Sequence, residues 1–226
     1  MKILAFDTSL GSTSVAVSNG QDILAYIEDN NLSVQAERLV PMIEQALAGA
    51  GLSYKEIDYL SVINGPGSFT GIRIALAAAQ GILLSTDIKG CAVTNFEIAA
   101  YRTRLQIEEA DKIVVYLNAY RNQLYVQIFD SDGSVFLAPT LIDIERAGSM
   151  LDRLEGKIIC TGNGIPLIYN QLKEHKEILV LPRFSKIRAF HVCRYVDLSL
   201  RGGFPLNAIE PLYIRPPDAV VKPGRE

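Results

Sequence analysis

The chain has 226 residues, 49% hydrophobic and 21% charged, with a formal charge of −3 at pH 7. That composition fits a globular protein with a continuous apolar core and excludes a disordered or fibrous one. Lys and Arg form no runs of the kind that screen phosphates, and no stretch approaches the roughly 20 apolar residues that span a bilayer, so neither RNA binding by this chain alone nor membrane insertion is expected.

In chain order, KILAFD (2–7) is an apolar run ending on a carboxylate rather than continuing as a signal-peptide core. A Ser/Gly/Thr turn follows, and STSVAVS then alternates as a half-buried strand does. Ser18-Asn19-Gly20-Gln21 supplies hairpin chemistry before a third strand, DILAYIE. Ser33 reads as the N-cap of a helix in which Leu39, Val40, Ile43, Leu47 and Ala50 recur at helical spacing until Gly51 stops it. A strand over 59–63, the turn Gly65-Pro66-Gly67, a helix over 69–84 and a strand over 88–93 complete the first half.

The same order returns after a helix over 96–105. KIVVYLNA, QLYVQIFD and SVFLAP read as strands, helical material follows over 142–154, and then come the strand KIICTG, the turn Gly162-Asn163-Gly164, a helix over 166–173 and the strand ILVL. A β-β-β-α-β-α-β unit made twice describes the α/β, actin-like (ribonuclease H-like) fold of actin, sugar kinases and the Hsp70 ATPase, in which nucleotide binds between the halves. The expected organisation is a first subdomain over 1–95, a second over 96–204, and a strand and tail over 205–226.

In such folds the opening hairpin of each half cradles phosphate, and an aspartate at the end of its first strand serves magnesium. The first turn here holds Asp7, Ser9 and Ser12, the candidate cofactor-binding residues. Asp7 is equally readable as an Asx-turn residue that bonds local backbone NH groups. The second turn has Asn118 where the second carboxylate falls, and an amide neither takes a proton nor matches a carboxylate's charge on a metal, so no catalytic residue is assigned.

Segment 64–82, NGPGSFTGIRIALAAAQGI, carries most information. Gly65 and Gly67 permit an unusual turn, and Ser68 or Thr70 can cap the next helix. The spacing supports neither a dinucleotide fingerprint nor a P-loop. On that helix Gly71, Ala75, Ala78 or Ala79, and Ile82 fall near one side, with residues small enough for close helix approach.

His175 and His191 have no neighbouring ligand set, so no metal is expected. No serine or cysteine stands in a nucleophile motif. Cys91, Cys160 and Cys193 form no CxxC pair and read as small buried hydrophobes in a reducing, cytoplasmic setting.

ILAFDTS followed by SVAV, then ERLVPMIEQAL, GPGSFTGIRIALAAAQGI and EPLYIRPPDA together resemble the TsaB family, formerly YeaZ, paralogues of the threonylcarbamoyl transferase TsaD. The resemblance implies a non-catalytic subunit that docks on TsaD through helices at about 37–48 and 69–83, with the ATPase TsaE as third component. Such a complex transfers threonylcarbamoyl to N6 of adenosine 37 in tRNAs reading codons that begin with A, and this chain meets tRNA only through the complex.

Carried onto this chain, the interface comprises Leu39, Ile43, Leu47, Phe69, Thr70, Gly71, Arg73, Ala75 and Ala78, with Phe69 and Arg73 as anchors. Gln35 stands where many members carry histidine, and Asn118-Ala119-Tyr120 where many read DAR. Binding of ATP or ADP in the cleft or the complex is left open, as is a homodimer through the same helices. A stand-alone actin-fold ATPase or small-molecule kinase is the alternative function.

Overall fold

The computed structural model describes residues 1–107, 109–173, 175, 178–181 and 186–215. The first sheet is built from β1 (Lys2–Asp7), β2 (Thr13–Asn19), β3 (Asp22–Asp29), β4 (Tyr59–Gly65) and β5 (Lys89–Thr94), in the order β3-β2-β1-β4-β5. β1 pairs antiparallel with β2 and parallel with β4. It is therefore a central strand, and with a core packed on each face it reads as a continuous apolar run.

Alternation along β1 sends Leu4 and Phe6 into one core, beneath α1 (Gln35–Ala50) and α2 (Phe69–Leu84). Ile3 and Ala5 enter a second core on the opposite face, beneath α5 (Ala189–Gly202). Leu39, Met42, Ile43, Ala46 and Leu47 form the inner stripe of α1. At about 2 kcal/mol for each large side chain, that stripe is what holds α1 to the sheet.

The second sheet repeats the plan. β6 (Lys112–Asn118), β7 (Gln123–Asp130), β8 (Val135–Asp143), β9 (Ile158–Thr161) and β10 (Ile178–Val180) run in the order β10-β9-β6-β7-β8, the equivalent of the first. α3 (Asn95–Arg104) packs Phe96 and Ala99 on one face of this sheet, and α4 (Ile165–Leu172) packs Ile168 and Leu172 on the other. The duplicated unit expected from the sequence is present, and the fold is α/β and actin-like.

Local readings differ in four places. α1 begins at Gln35 without a side-chain cap; Ser33 lies in a preceding 3-10 turn whose cap is Asn31. Segment 142–154 is not one helix: β8 runs on to Asp143, pairing with Gln123, and two 3-10 turns follow, Ile144–Arg146 and Leu151–Arg153. α5 has no counterpart in the sequence reading. EPLYI forms no strand ladder; the chain there makes an isolated bridge between Asn207 and Ala92 and a bond from the Leu212 NH to the Asn64 carbonyl. The tail over 216–226 lies outside the described residues.

All three cysteines are buried thiols, as expected. Among the described residues no group of His, Cys, Asp or Glu is placed to hold a metal ion, and no helix is long and apolar enough to cross a membrane.

Candidate functional site

The turn between β1 and β2 closes upon the turn that precedes α2. The Ser68 NH donates to the Ser9 carbonyl at 2.8 Å, and the Thr8 hydroxyl donates to the Gly71 carbonyl at 2.5 Å. Glycine is required at both contacts: a Cβ on Gly67 would stand 2.5 Å from the Ser9 carbonyl oxygen, and one on Gly71 would collide with that of Thr8. The small residue at 71 thus serves an approach inside this chain.

Gln35 seals the same turn from α1, its amide donating to the Thr8 carbonyl at 3.3 Å and the Ser12 carbonyl at 3.4 Å. From α3, the Asn95 amide donates to the Ser9 hydroxyl and the Pro66 carbonyl.

Asp7, Ser9 and Ser12 are each 1% exposed. Asp7 Oδ1 accepts the Ser9 NH at 2.8 Å, the Asx-turn reading of the sequence. Burial pushes its carboxyl up to about 6, against opposing hydrogen bonds from Ser9 and Thr8. The three residues anticipated on a phosphate site are brought together, but beneath the surface and bonded to their own chain. In the second half Asn118 makes the same turn, its Oδ1 accepting the Tyr120 NH, and Tyr120, Arg121 and Asn122 all adopt positive φ.

The residues assigned to an interface divide into two sets. Leu39, Ile43 and Leu47 lie in the core under α1, and Gly71 and Ala75 are buried beneath α2. Those five residues face this chain's own sheet and turn, because a helix buries its continuous apolar stripe on the nearest layer. Phe69, Thr70 and Arg73 are exposed and Ala78 is half-buried. The outer face of α2 also presents Ala77, Gly81 and Leu84, the last 90% exposed, and α1 presents Val40, Glu44 and Ala48 beside it.

At the start of α2, the Arg73 guanidinium lies 3.8 Å from the Phe69 ring centre, and its Nε donates to the Tyr213 hydroxyl at 3.0 Å. The Tyr213 ring stands 5.5 Å from that of Phe69. Tyr213 belongs to a strap that leaves α5, is tied to β4 through Asn64 and reaches the second sheet through a 2.6 Å bond from Arg215 to Gln123. Periodicity gives no sign of this strap, because its ties are to backbone and single side chains.

A family model described as TsaD, tRNA N6-adenosine threonylcarbamoyltransferase, matches residues 34–186. The chain is 28% identical to the tRNA threonylcarbamoyladenosine biosynthesis protein TsaB of Buchnera aphidicola subsp. Schizaphis graminum, over 83% of this chain and 91% of that one. The chain belongs to the TsaD family, in its TsaB (YeaZ) branch. Among solved structures, a Pseudomonas aeruginosa protein described as similar to peptidase YeaZ superposes with a TM-score of 0.77 at 23% identity, covering 95% of this chain and 99% of that one. The ROK hexokinase of Thermus thermophilus, 12% identical, shares the fold with a TM-score of 0.54 over 90% of this chain and 100% of its own. These structural likenesses speak for the actin-like fold of the TsaB branch, and the residues carry the rest.

Proposed function

We propose that the chain is a non-catalytic subunit in the formation of threonylcarbamoyladenosine in tRNA, acting by docking on TsaD, with TsaE as the third component. The observation that carries this reading is the state of the first turn. Asp7, Ser9 and Ser12 are buried and bonded internally, while Asn118 replaces the second carboxylate, so the chain lacks the accessible pair of carboxylates that positions a metal and a nucleophile. The outer faces of α1 and α2 supply the docking surface, with Phe69, Arg73, Ala77, Gly81 and Leu84 from α2 and Val40 and Ala48 from α1. Small residues there let partner helices approach closely, and the Phe69 and Arg73 pair provides an aromatic and cationic anchor.

Without TsaD the same face pairs two copies of the chain. The stand-alone kinase reading requires ATP turnover that is lost on changing Asp7.

Reconstitution with TsaD and TsaE tests the reading: tRNA modification requires the chain and stops when it is left out. Gly81→Arg is the discriminating variant, because a Cβ at Gly81 meets nothing within 4 Å and the fold is undisturbed. It abolishes co-elution with TsaD at unchanged melting temperature. Full modification without the chain, or unaltered co-elution of Gly81→Arg, overturns the proposal.

A further inference from the structure

A second surface lies on the other side of the first sheet from α1 and α2, where α3 and α5 meet. A tilted contact between the Tyr101 and Tyr195 rings, with centres 5.6 Å apart, joins the two helices. Residues 188, 191 and 194 follow one another at helical spacing along this side of α5.

Arg102 Nη1 donates to the Lys186 carbonyl at 3.2 Å, and the Arg188 NH donates to His191 Nδ1 at 3.0 Å. Arg194 lies 5.9 Å over the Phe190 ring, which stacks 4.1 Å from that of His191. Lys186 and Arg194 are exposed; Arg102 and Arg188 are half-buried.

Four cations thus gather around a row of half-buried rings, on a chain whose net charge is −3. Two carboxylates border them. Glu28 accepts from Arg188 Nε at 3.0 Å and from the Tyr26 hydroxyl at 2.7 Å, and Glu97 caps the start of α3 and bonds Asn207. Glu28 neutralises Arg188, whereas the exposed Lys186 and Arg194 bond only neutral acceptors in the described residues, the Asn30 side-chain amide oxygen with the Gly11 carbonyl and the Gln21 carbonyl, so their charges stay uncompensated there. Burial, and then the charges of Arg102, Arg188 and Arg194, hold the His191 imidazole neutral.

Guanidinium and ammonium groups interleaved with aromatic rings are the chemistry of nucleic-acid backbone binding: cations meet phosphates, and rings accept unstacked bases. We propose that this α3/α5 face binds RNA through its phosphate backbone. The phosphate chemistry stands on these residues alone; the choice of tRNA rests on the function proposed above. Being on the opposite face of the sheet, the surface stays open while α1 and α2 are covered, so one chain can hold a protein partner and an RNA together.

Fluorescence anisotropy with labelled tRNA and the full chain, at salt from about 50 to 200 mM, tests the inference. Binding is expected at roughly 10⁻⁴ to 10⁻⁶ M with steep salt dependence. Arg194→Glu and Lys186→Glu each weaken it several-fold and reduce the salt slope by about 1. Arg194→Gln, the gentler change, weakens it less, and Lys157→Glu on the second sheet, with the same change in charge, leaves it unaltered.

No binding at low salt overturns the inference, as does an equal loss in Lys157→Glu. Competition by micromolar ATP or pyrophosphate also overturns it, because the face is then a small-phosphate site. A chain that binds tRNA yet fails to co-elute with TsaD refutes the docking role and leaves this inference standing; the reverse pattern does the opposite.

Discussion

Asp7 and Asn118 make one and the same turn in the two halves of the molecule, each side-chain Oδ1 accepting the backbone NH two residues on at 2.8 Å. An amide therefore suffices for the geometry, and the bonds from Ser9 and Thr8 that favour the Asp7 charge do not offset its burial. The charge carries a cost, because Asp7 is buried and its carboxyl sits at about 6. The folded state binds a proton that the unfolded chain has already released, so stability falls as pH rises from about 4 to 6, by about 3 kcal/mol in all. Asp7→Asn escapes this dependence. Urea unfolding at pH 4 and pH 8 will show the variant gaining about 3 kcal/mol on the wild type across that interval; parallel profiles would show that Asp7 ionises freely in the fold.

The glycines of α2 separate two kinds of small residue. Gly71→Ala drives a Cβ into the Thr8 carbonyl and costs about 2–3 kcal/mol, lowering Tm by roughly 5–10 °C. Gly81→Ala meets nothing and raises stability by up to about 1 kcal/mol through helix propensity. Calorimetry of the two variants checks the contrast, which disappears if the two turns part in solution.

How much of this was legible follows from where each signal resides. The order of elements along the chain could be read because β1 and β6 are apolar runs each followed by a turn and a second strand, and Gly51 marked the end of α1 with a left-handed cap. For the candidate interface residues, only part of the burial was legible. Leu39, Ile43 and Leu47 were carried over from the family resemblance, yet their helical spacing marks the stripe facing the chain's own sheet, and the residues of α1 left outside that stripe are the exposed ones. α5 escaped notice because Arg188, His191 and a fully buried Asp197 interrupt its apolar pattern, and Asp197 is accommodated only by Arg201 and Gln21. The cation cluster was invisible for a similar reason, since residue 102 meets 186–194 only after folding.

The strap makes Tyr213 a supporting residue for α2. Tyr213→Ala removes its bond to Arg73 and its ring contact with Phe69, all at a half-exposed site, for a loss of about 1–2 kcal/mol. On the docking proposed above, Arg73 loses its support and affinity for TsaD falls with it. Titration calorimetry of Tyr213→Ala and Tyr213→Phe against TsaD separates the two contributions. Phe keeps the ring and loses the bond, so it stands between wild type and Ala; equal affinities for all three would show the strap to be irrelevant to docking.

His191 sets the opposite pH dependence from Asp7. Burial, then the charges of Arg102, Arg188 and Arg194, push its pKa down to about 3, while Nδ1 accepts the Arg188 NH. The unfolded chain takes up a proton near pH 6.5, whereas the folded chain refuses it until about pH 3. The stabilising contribution is therefore complete above about pH 6.5 and is lost as pH falls toward 3. Over the same descent Asp7 is relieved of its charge, so the two effects oppose one another and the wild-type profile between about pH 6 and 4 is flatter than either alone. His191→Asn keeps an acceptor for Arg188 without the titration. Its stability will rise relative to wild type as pH is lowered from 7 to 4, in urea midpoints taken at several pH values. An unchanged difference across that range would mean that the imidazole is charged in the fold.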